Sequence, residues 1–295
     1  MEAEIRPLPK FNYFSPSSLS EIFKLLKDYE GRAKLLAGGT DLLVKMKKRA
    51  VLPDVIIDLN KISELSFIEL ADGHLHIGGL TRLAVVGGSS IVKEKAPALA
   101  EAIKVLASTQ IRNRATIAGN LCNASPAADT APPLLVLDAS VKLQSAGGER
   151  VVPLSQLFLG PEQTVIKPDE ILTEVIIPLQ EGASAFIKLG RRKAFTLSVA
   201  SVAAFAEVNN GKFEEVRVAL GAVAPTPIRA RKVEETLKGK DVSEGNVEKA
   251  AQLVKEECRP ITDVRASAEY RTEMSYVLTK RVLRKVGWRE NVSTI

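Results

Sequence analysis

Two glycine-bearing loops hold the residues whose types and spacing could do chemistry. The first is Ala37-Gly38-Gly39-Thr40-Asp41, flanked by Leu36 and Leu42. The second is Thr116-Ile117-Ala118-Gly119-Asn120, followed by Ser125-Pro126-Ala127-Ala128-Asp129. Glycine frees a backbone to adopt positive φ, so successive N–H groups can point into one concavity and receive an anion. Nearby hydroxyls add further donors. Two loops of this kind in one chain could grip a pyrophosphate from both sides, which makes the chain a candidate dinucleotide binder.

Each loop also has a plainer reading. A helix starting at Asp41 would present free N–H groups, a natural site for phosphate oxygens. Asp41 itself would repel a phosphate if turned inward, so it is expected to cap that helix by accepting an N–H bond. No Gly-Lys-Ser/Thr follows, so this is not a Walker A loop, and GxGxxG is absent too. A structural turn after a strand is the open alternative. In the second loop, the Asp129 carboxylate could hold a ribitol or ribose hydroxyl pair, as an acid does in Rossmann sites. The alternative is that Ser125 caps a helix starting at Pro126, with Asp129 in its first turn.

The elements that must position these loops can be read from spacing. Ser18 and Glu21 have capping-box spacing, and Leu19, Ile22, Phe23 and Leu26 form the apolar stripe of a helix. Residues 34–37 form a buried strand, 41–48 a helix, and 55–59 another buried strand, making a small βαβ unit. Strands at 66–70 and 74–78 flank an Asp72-Gly73 turn. A helix over 91–106 is interrupted or started by Pro97. Strands at 141–144 and 150–152 flank Ala146-Gly147-Gly148, and 171–177 alternates before Pro178. Antiparallel strands are expected at 185–189, 198–208 and 215–221, with a hairpin turn at Asn209-Asn210-Gly211. Pro225 and Pro227 are expected to close the sheet. Helices are expected at 228–237, 246–257 and 268–286, the last burying Tyr270, Met274, Val277, Leu278, the Arg281 stem and Val282.

Composition narrows the classes of function. The chain has 295 residues, 45% apolar and 26% charged, which suits a globular protein of two domains. The boundary is placed near residue 179: a first domain over 1–178, itself split near 60, and a second over 179–295. Only two cysteines occur, Cys122 and Cys258, so no CxxC pair can hold an iron–sulfur cluster or structural zinc. That count suits a reducing cytoplasm. The net charge of +6 is scattered among 35 acids with no nucleic-acid-binding motif, so a solvated surface is expected rather than a nucleic-acid partner. Residues 1–10 lack an apolar core for a signal peptide, and no run approaches the ~20 residues of a membrane span. His74 and His76 share one face of a strand, but no third ligand is near, which favours surface histidines over a metal site.

Taken together, the two loop motifs resemble the FAD-binding subunit of the molybdenum hydroxylases, which include xanthine dehydrogenase, aerobic carbon monoxide dehydrogenase and aldehyde oxidase. The resemblance covers nearly the whole chain. It includes Phe14-Ser15-Pro16-Ser17-Ser18-Leu19, Asp169-Glu170-Ile171-Leu172, Ala185-Phe186-Ile187-Lys188 with Gly190-Arg191-Arg192, Tyr270-Arg271 and Leu278-Thr279-Lys280-Arg281. It implies an α+β fold: a two-subdomain FAD-binding domain of the vanillyl-alcohol-oxidase type, followed by a C-terminal antiparallel sheet plus helices. By motif match, Ala37 to Asp41 would cradle the FAD pyrophosphate, with Leu36 and Leu42 flanking. Thr116, Gly119 and Asn120 would close the other side, with Ser125 nearby and Asp129 on cofactor hydroxyls. Leu172 would give a backbone or packing contact, Lys188 would sit near the polar edge of the flavin, and Ile117 beside the ring.

The resemblance also implies function. FAD would be held without a covalent bond, since neither loop contains a histidine. Electrons would arrive from 2Fe-2S clusters on a small partner subunit and pass to NAD+ or another acceptor. A large partner subunit would carry molybdopterin. There are departures. Leu106 stands where some relatives have an aromatic residue, the loop from Gly190 to Thr196 is strongly basic, and a cluster-bearing cysteine insertion known in one branch is absent. Two other readings share the fold: a self-contained flavin reductase or oxidase, and a non-catalytic assembly module.

Overall fold

The computed structural model describes residues 7–192 and 196–288. The start of the segment read for a signal peptide, 1–6, and residues 193–195 of the basic loop lie outside them.

Strands Asn12–Phe14, Ala33–Leu36 and Val55–Asp58 form a parallel sheet with the last strand in the centre. Val55, Ile56 and Ile57 are buried there, as a central parallel strand requires. The intervening helix Leu19–Asp28 is capped by Ser18, whose Oγ accepts the Glu21 N–H at 3.3 Å. The Glu21 carboxylate reaches back to the Ser17 N–H, one residue before the cap. Ala33–Leu36, the glycine turn, helix Leu42–Lys47 and Val55–Asp58 make the expected βαβ unit. Asp41 occupies the cap position, but its side chain caps nothing. Its backbone is already helical (φ −103°, ψ −48°), whereas a capping residue needs an extended backbone to aim its oxygen at the N–H groups ahead.

A five-stranded antiparallel sheet follows, in the order Ile68–Ala71, His74–Gly78, Ile171–Pro178, Ser140–Ser145, Gly148–Pro153. Asp72 and Gly73 both take positive φ (48° and 75°), the geometry of a tight two-residue hairpin. Ile171–Pro178 does not alternate, because its first five residues are all buried. Helices Pro97–Val105, Ile117–Cys122 and Ala131–Val136 contribute to the core on this sheet, where Leu99, Ile103, Ile117 and Leu134 meet Leu75, Ile77, Val141 and Val175. Glu174 is buried because Lys142 and His76 pair with it. The helix expected over 91–106 is two helices, Ser90–Lys95 and Pro97–Val105, parted at Ala96 ahead of the proline.

These paired carboxylates should make stability acid-sensitive. Hydrogen bonds from Arg150 hold the Glu170 carboxyl below its ordinary value. Burial would raise Glu174, but the bonds and charges of Lys142 and His76 outweigh it and leave the group lowered. A depressed carboxylate contributes stability above its unfolded value of about 4.3, and that stability is lost as pH falls through the lower folded value. The urea midpoint is therefore expected to drop below about pH 4. Glu170→Gln should flatten part of that drop, and an unchanged acid slope would show that the Arg150 pair does not carry it.

The last sheet is antiparallel: Ala183–Gly190, Ser198–Asn209, Lys212–Gly221, Ile228–Arg229. Asn210-Gly211 turns the central hairpin with φ of 49° and 74°. Ile228 does not start a helix. It pairs with Leu220 as a fourth strand, and the helix begins at Arg231. Helices Glu244–Gln252 and Val254–Glu257 come next, then Ala268–Gly287, which packs on the sheet. Its inward face is offset from the expected one. Arg271, Ser275, Leu278, Thr279, Val282, Leu283 and Val286 are buried, while Tyr270 is 48% exposed and Arg281 is exposed. Apolar periodicity misplaced the face because the Arg271 Nη atoms and the Ser275 hydroxyl find partners inside the fold. Phe186, Ala203, Phe205 and Ala219 of this sheet join the core of the preceding domain, so the two halves share apolar packing.

Candidate functional site

The first glycine turn is built around two different constraints. Gly39 has φ +74°, where a side chain would be strained. Gly38 has no such φ, but a Cβ there would lie 2.3 Å from the Arg114 carbonyl oxygen and 2.8 Å from the Ala115 Cα. The turn can therefore lie directly on the backbone that leads into the second loop. Among the described residues, no acceptor is bonded to the backbone amides of Gly38, Gly39, Thr40, Asp41 or Leu42. Desolvation pushes the Asp41 carboxyl up from its ordinary value, against the pull of Lys45.

The second loop is differently made. Thr116 caps helix Ile117–Cys122, its hydroxyl accepting the Gly119 N–H at 3.1 Å. The amides of Ile117, Ala118 and Asn120 donate to Thr81, Gly79 and Thr116. This loop is thus no amide cup, which corrects the expectation of two. It instead presents the bare face of Gly119, where an added Cβ would meet only the Thr116 Oγ1, at 2.9 Å. Beside it stands the Asn120 amide, whose Oδ1 accepts from Thr130 at 2.6 Å.

Ser125 does not cap a helix. Its Oγ accepts the Ala127 N–H within a turn, and the next helix begins only at Ala131. Asp129 is 4% exposed. Its Oδ2 receives the Lys188 ammonium at 2.6 Å, and its Oδ1 receives the Ser198 hydroxyl. Lys188 also donates to the Val105 carbonyl at 3.3 Å. Burial pushes the Asp129 carboxyl up, against the opposing pull of Lys188 and Ser198.

The loops face one another across a cleft of about 1150 Å³. That is just above the roughly 300–1,000 Å³ usual for small-molecule pockets, and it suits a ligand longer than a mononucleotide. Ala37, Gly38, Gly39, Thr40, Asp41, Leu42, Leu106, Thr116, Gly119, Asn120, Ser125 and Asp129 all line it. Four expected residues do not. Ile117 and Leu172 are buried, Leu36 is half-buried with its Cδ1 against Gly39, and Lys188 is held behind Asp129. Sequence reasoning missed Lys45, Asn123 and Glu162. Lys45 bonds Asn123 at 2.8 Å and pairs with Glu162 at 2.8 Å, linking the two sides of the cleft. Lys45 lies four residues after Asp41, a helical spacing that could have drawn attention to it. Glu162 sits at a hairpin tip with φ +60°, which no sequence pattern marks. Arg191, Arg192 and Arg265 give the cleft a basic wall. His76 is engaged by Glu174, and no metal-binding cluster occurs among the described residues.

The cleft's geometry fits FAD. It offers unbonded amides at a helix start for a diphosphate, and at Gly119 a lining position with no side chain. Comparisons with known proteins agree. Residues 9–180 match the family described as the FAD binding domain in molybdopterin dehydrogenase, and 185–286 the CO dehydrogenase flavoprotein C-terminal domain. The xanthine dehydrogenase FAD-binding subunit of Escherichia coli O157:H7 is 36% identical, over 92% of this chain and 94% of its own. The carbon monoxide dehydrogenase medium chain of Hydrogenophaga pseudoflava is 35% identical, over 93% and 96%. A solved structure of carbon monoxide dehydrogenase from Hydrogenophaga pseudoflava superposes with a TM-score of 0.92 at 34% identity, over 96% of this chain and 98% of that one. Among the described residues no helix is long and apolar enough to cross a membrane. The chain belongs to the FAD-binding medium subunits of the molybdenum hydroxylases, of the xanthine and carbon monoxide dehydrogenase type, and is an oxidoreductase subunit of that family.

Proposed function

We propose that this chain is the electron-transfer subunit of a cytoplasmic molybdenum hydroxylase complex, with FAD in the cleft between the two loops. It takes electrons from 2Fe-2S clusters on a small partner subunit and delivers them to NAD+ or another acceptor. A large partner subunit carries the molybdopterin. The division of the chain near residue 179 belongs to the same proposal, with the FAD site built chiefly from 1–178. One observation carries the reading: among the described residues, five consecutive amides without acceptors, Gly38 to Leu42, belong to residues that line one cleft together with Gly119.

FAD, when bound, supplies the redox chemistry that no side chain here can. The chain's own residues bind and orient it. The amides from Gly38 to Leu42, at the start of a helix, receive the diphosphate oxygens. Gly119 allows close approach, and Asn120 offers its Nδ2 as a donor. Asp129 is held in place by Lys188 and Ser198, where it can accept from cofactor hydroxyls. The Lys188 ammonium lies behind that carboxylate as its counter-charge and fixes its orientation.

Acid precipitation of the purified yellow protein tests the binding mode. Free FAD is expected in the supernatant, and a pellet retaining all the chromophore would refute non-covalent attachment. Gly119→Val should abolish binding, because its side chain would occupy the cofactor's approach. Stoichiometric flavin in that variant would remove FAD from this cleft.

A further inference from the structure

Arg271 is 1% exposed in the last helix, far in sequence from either loop. Its Nη1 donates to the carbonyls of Val199 (2.9 Å) and Ala222 (3.1 Å), and its Nη2 to Asp263 Oδ1 (2.7 Å). Its Nε is buried without a partner. A buried ion pair with an orphaned nitrogen is poor evidence of a stabilising role. The three acceptors suggest a different one.

Val199 lies at a β-bulge. Leu189 pairs with Ala200 and Gly190 with Ser198, so Val199 opposes no residue. Bulges re-aim neighbouring side chains, and the one beside Val199 is Ser198, whose hydroxyl donates to Asp129. Ala222 has φ +64°, a costly conformation for alanine that needs support from its surroundings. Its N–H donates to the Pro126 carbonyl at 2.8 Å. Asp263 also binds Arg265, which lines the cleft. One guanidinium thus braces two of the three points at which the C-terminal half holds the 126–129 segment, the third being the Lys188–Asp129 pair.

We propose that Arg271 is a positioning residue for the cofactor cleft: by fixing the Val199 bulge and the Ala222 turn, it sets Asp129 through Ser198 and Pro126. The inference rests on the placement of FAD in this cleft. It makes the C-terminal domain part of the cofactor site through a residue that never touches the cofactor.

The test measures FAD affinity by reconstituting the full-length apoprotein, together with the visible circular dichroism of the bound flavin. Arg271→Lys keeps the charge but cannot span three acceptors. It is expected to raise the FAD dissociation constant at least ten-fold and to alter the spectrum. Ser198→Ala should do the same, and the double variant should be no worse than the weaker single one. Arg217→Lys is the control. That arginine is likewise buried, on strand Lys212–Gly221 against which the helix of Arg271 packs, but is bonded to Asp138 and Gln180, so its loss should lower the urea midpoint and leave affinity and spectrum unchanged. Wild-type affinity and spectrum in Arg271→Lys would overturn the proposal, as would additive losses in the double variant. Should Arg271→Lys not fold, unaltered affinity in Ser198→Ala overturns it instead. Retained flavin in Gly119→Val would sink the cleft placement, a failure distinguishable from that of the arginine's role.

Discussion

Gly38→Ala is expected to yield a protein with no bound FAD and reduced stability. The added methyl would lie 2.3 Å from the Arg114 carbonyl oxygen and 2.8 Å from the Ala115 Cα. Both are backbone atoms, so no rotamer change relieves the collision. The turn must lift off the segment that leads to Thr116. Overpacking of this kind costs roughly 1–3 kcal/mol, more where the neighbours cannot give. Lifting the turn also widens the gap between the Gly38–Leu42 amides and Gly119, and the diphosphate cannot then reach both. Gly39→Ala is the milder comparison. Its neighbours are the flexible ends of Leu36 and Leu43 at 3.1 Å, and its cost is chiefly the left-handed φ, about 1–2 kcal/mol. Flavin absorbance per mole of protein and a urea titration measure both effects. Full flavin occupancy in Gly38→Ala would show that contact between the loops is not what shapes the cleft.

Asp129→Ala should be the more destabilising change. Lys188 has a side chain only 6% exposed, and Asp129 is its counter-charge. Removing one partner of a buried pair leaves an uncompensated charge, at about 3–5 kcal/mol. The Ser198 hydroxyl, fully buried, loses its acceptor as well. Asp129→Ala with Lys188→Met should recover much of that stability, because the stranded charge is gone. FAD occupancy should stay low in the double variant, because the carboxylate facing the cleft is still missing. This split separates the pair's electrostatic role from its binding role. A loss below about 1 kcal/mol in Asp129→Ala would be typical of an exposed pair and would contradict the buried geometry.

Much of the molecule was legible in the chain itself. Strand–glycine–helix–strand punctuation placed the βαβ unit, and Asp72-Gly73 and Asn210-Gly211 fixed two hairpins, because these signals act over a few residues. Twelve of the sixteen residues expected at the site line the cleft, and all but Leu106 come from short contiguous motifs. Tertiary structure decided the rest. Gly119 sits in a loop whose amides are consumed by Thr81, Gly79 and its own cap, and no local pattern reports distant acceptors. Lys188 turns inward because Asp129, 59 residues away, neutralises it there. Arg271 lies on the buried face of an apparently amphipathic helix because a bulge and a strained turn leave carbonyls free for it. Periodicity measures the apolar surface a helix can bury, whereas a polar side chain is buried only where partners from elsewhere in the chain meet it, and folding alone brings them together.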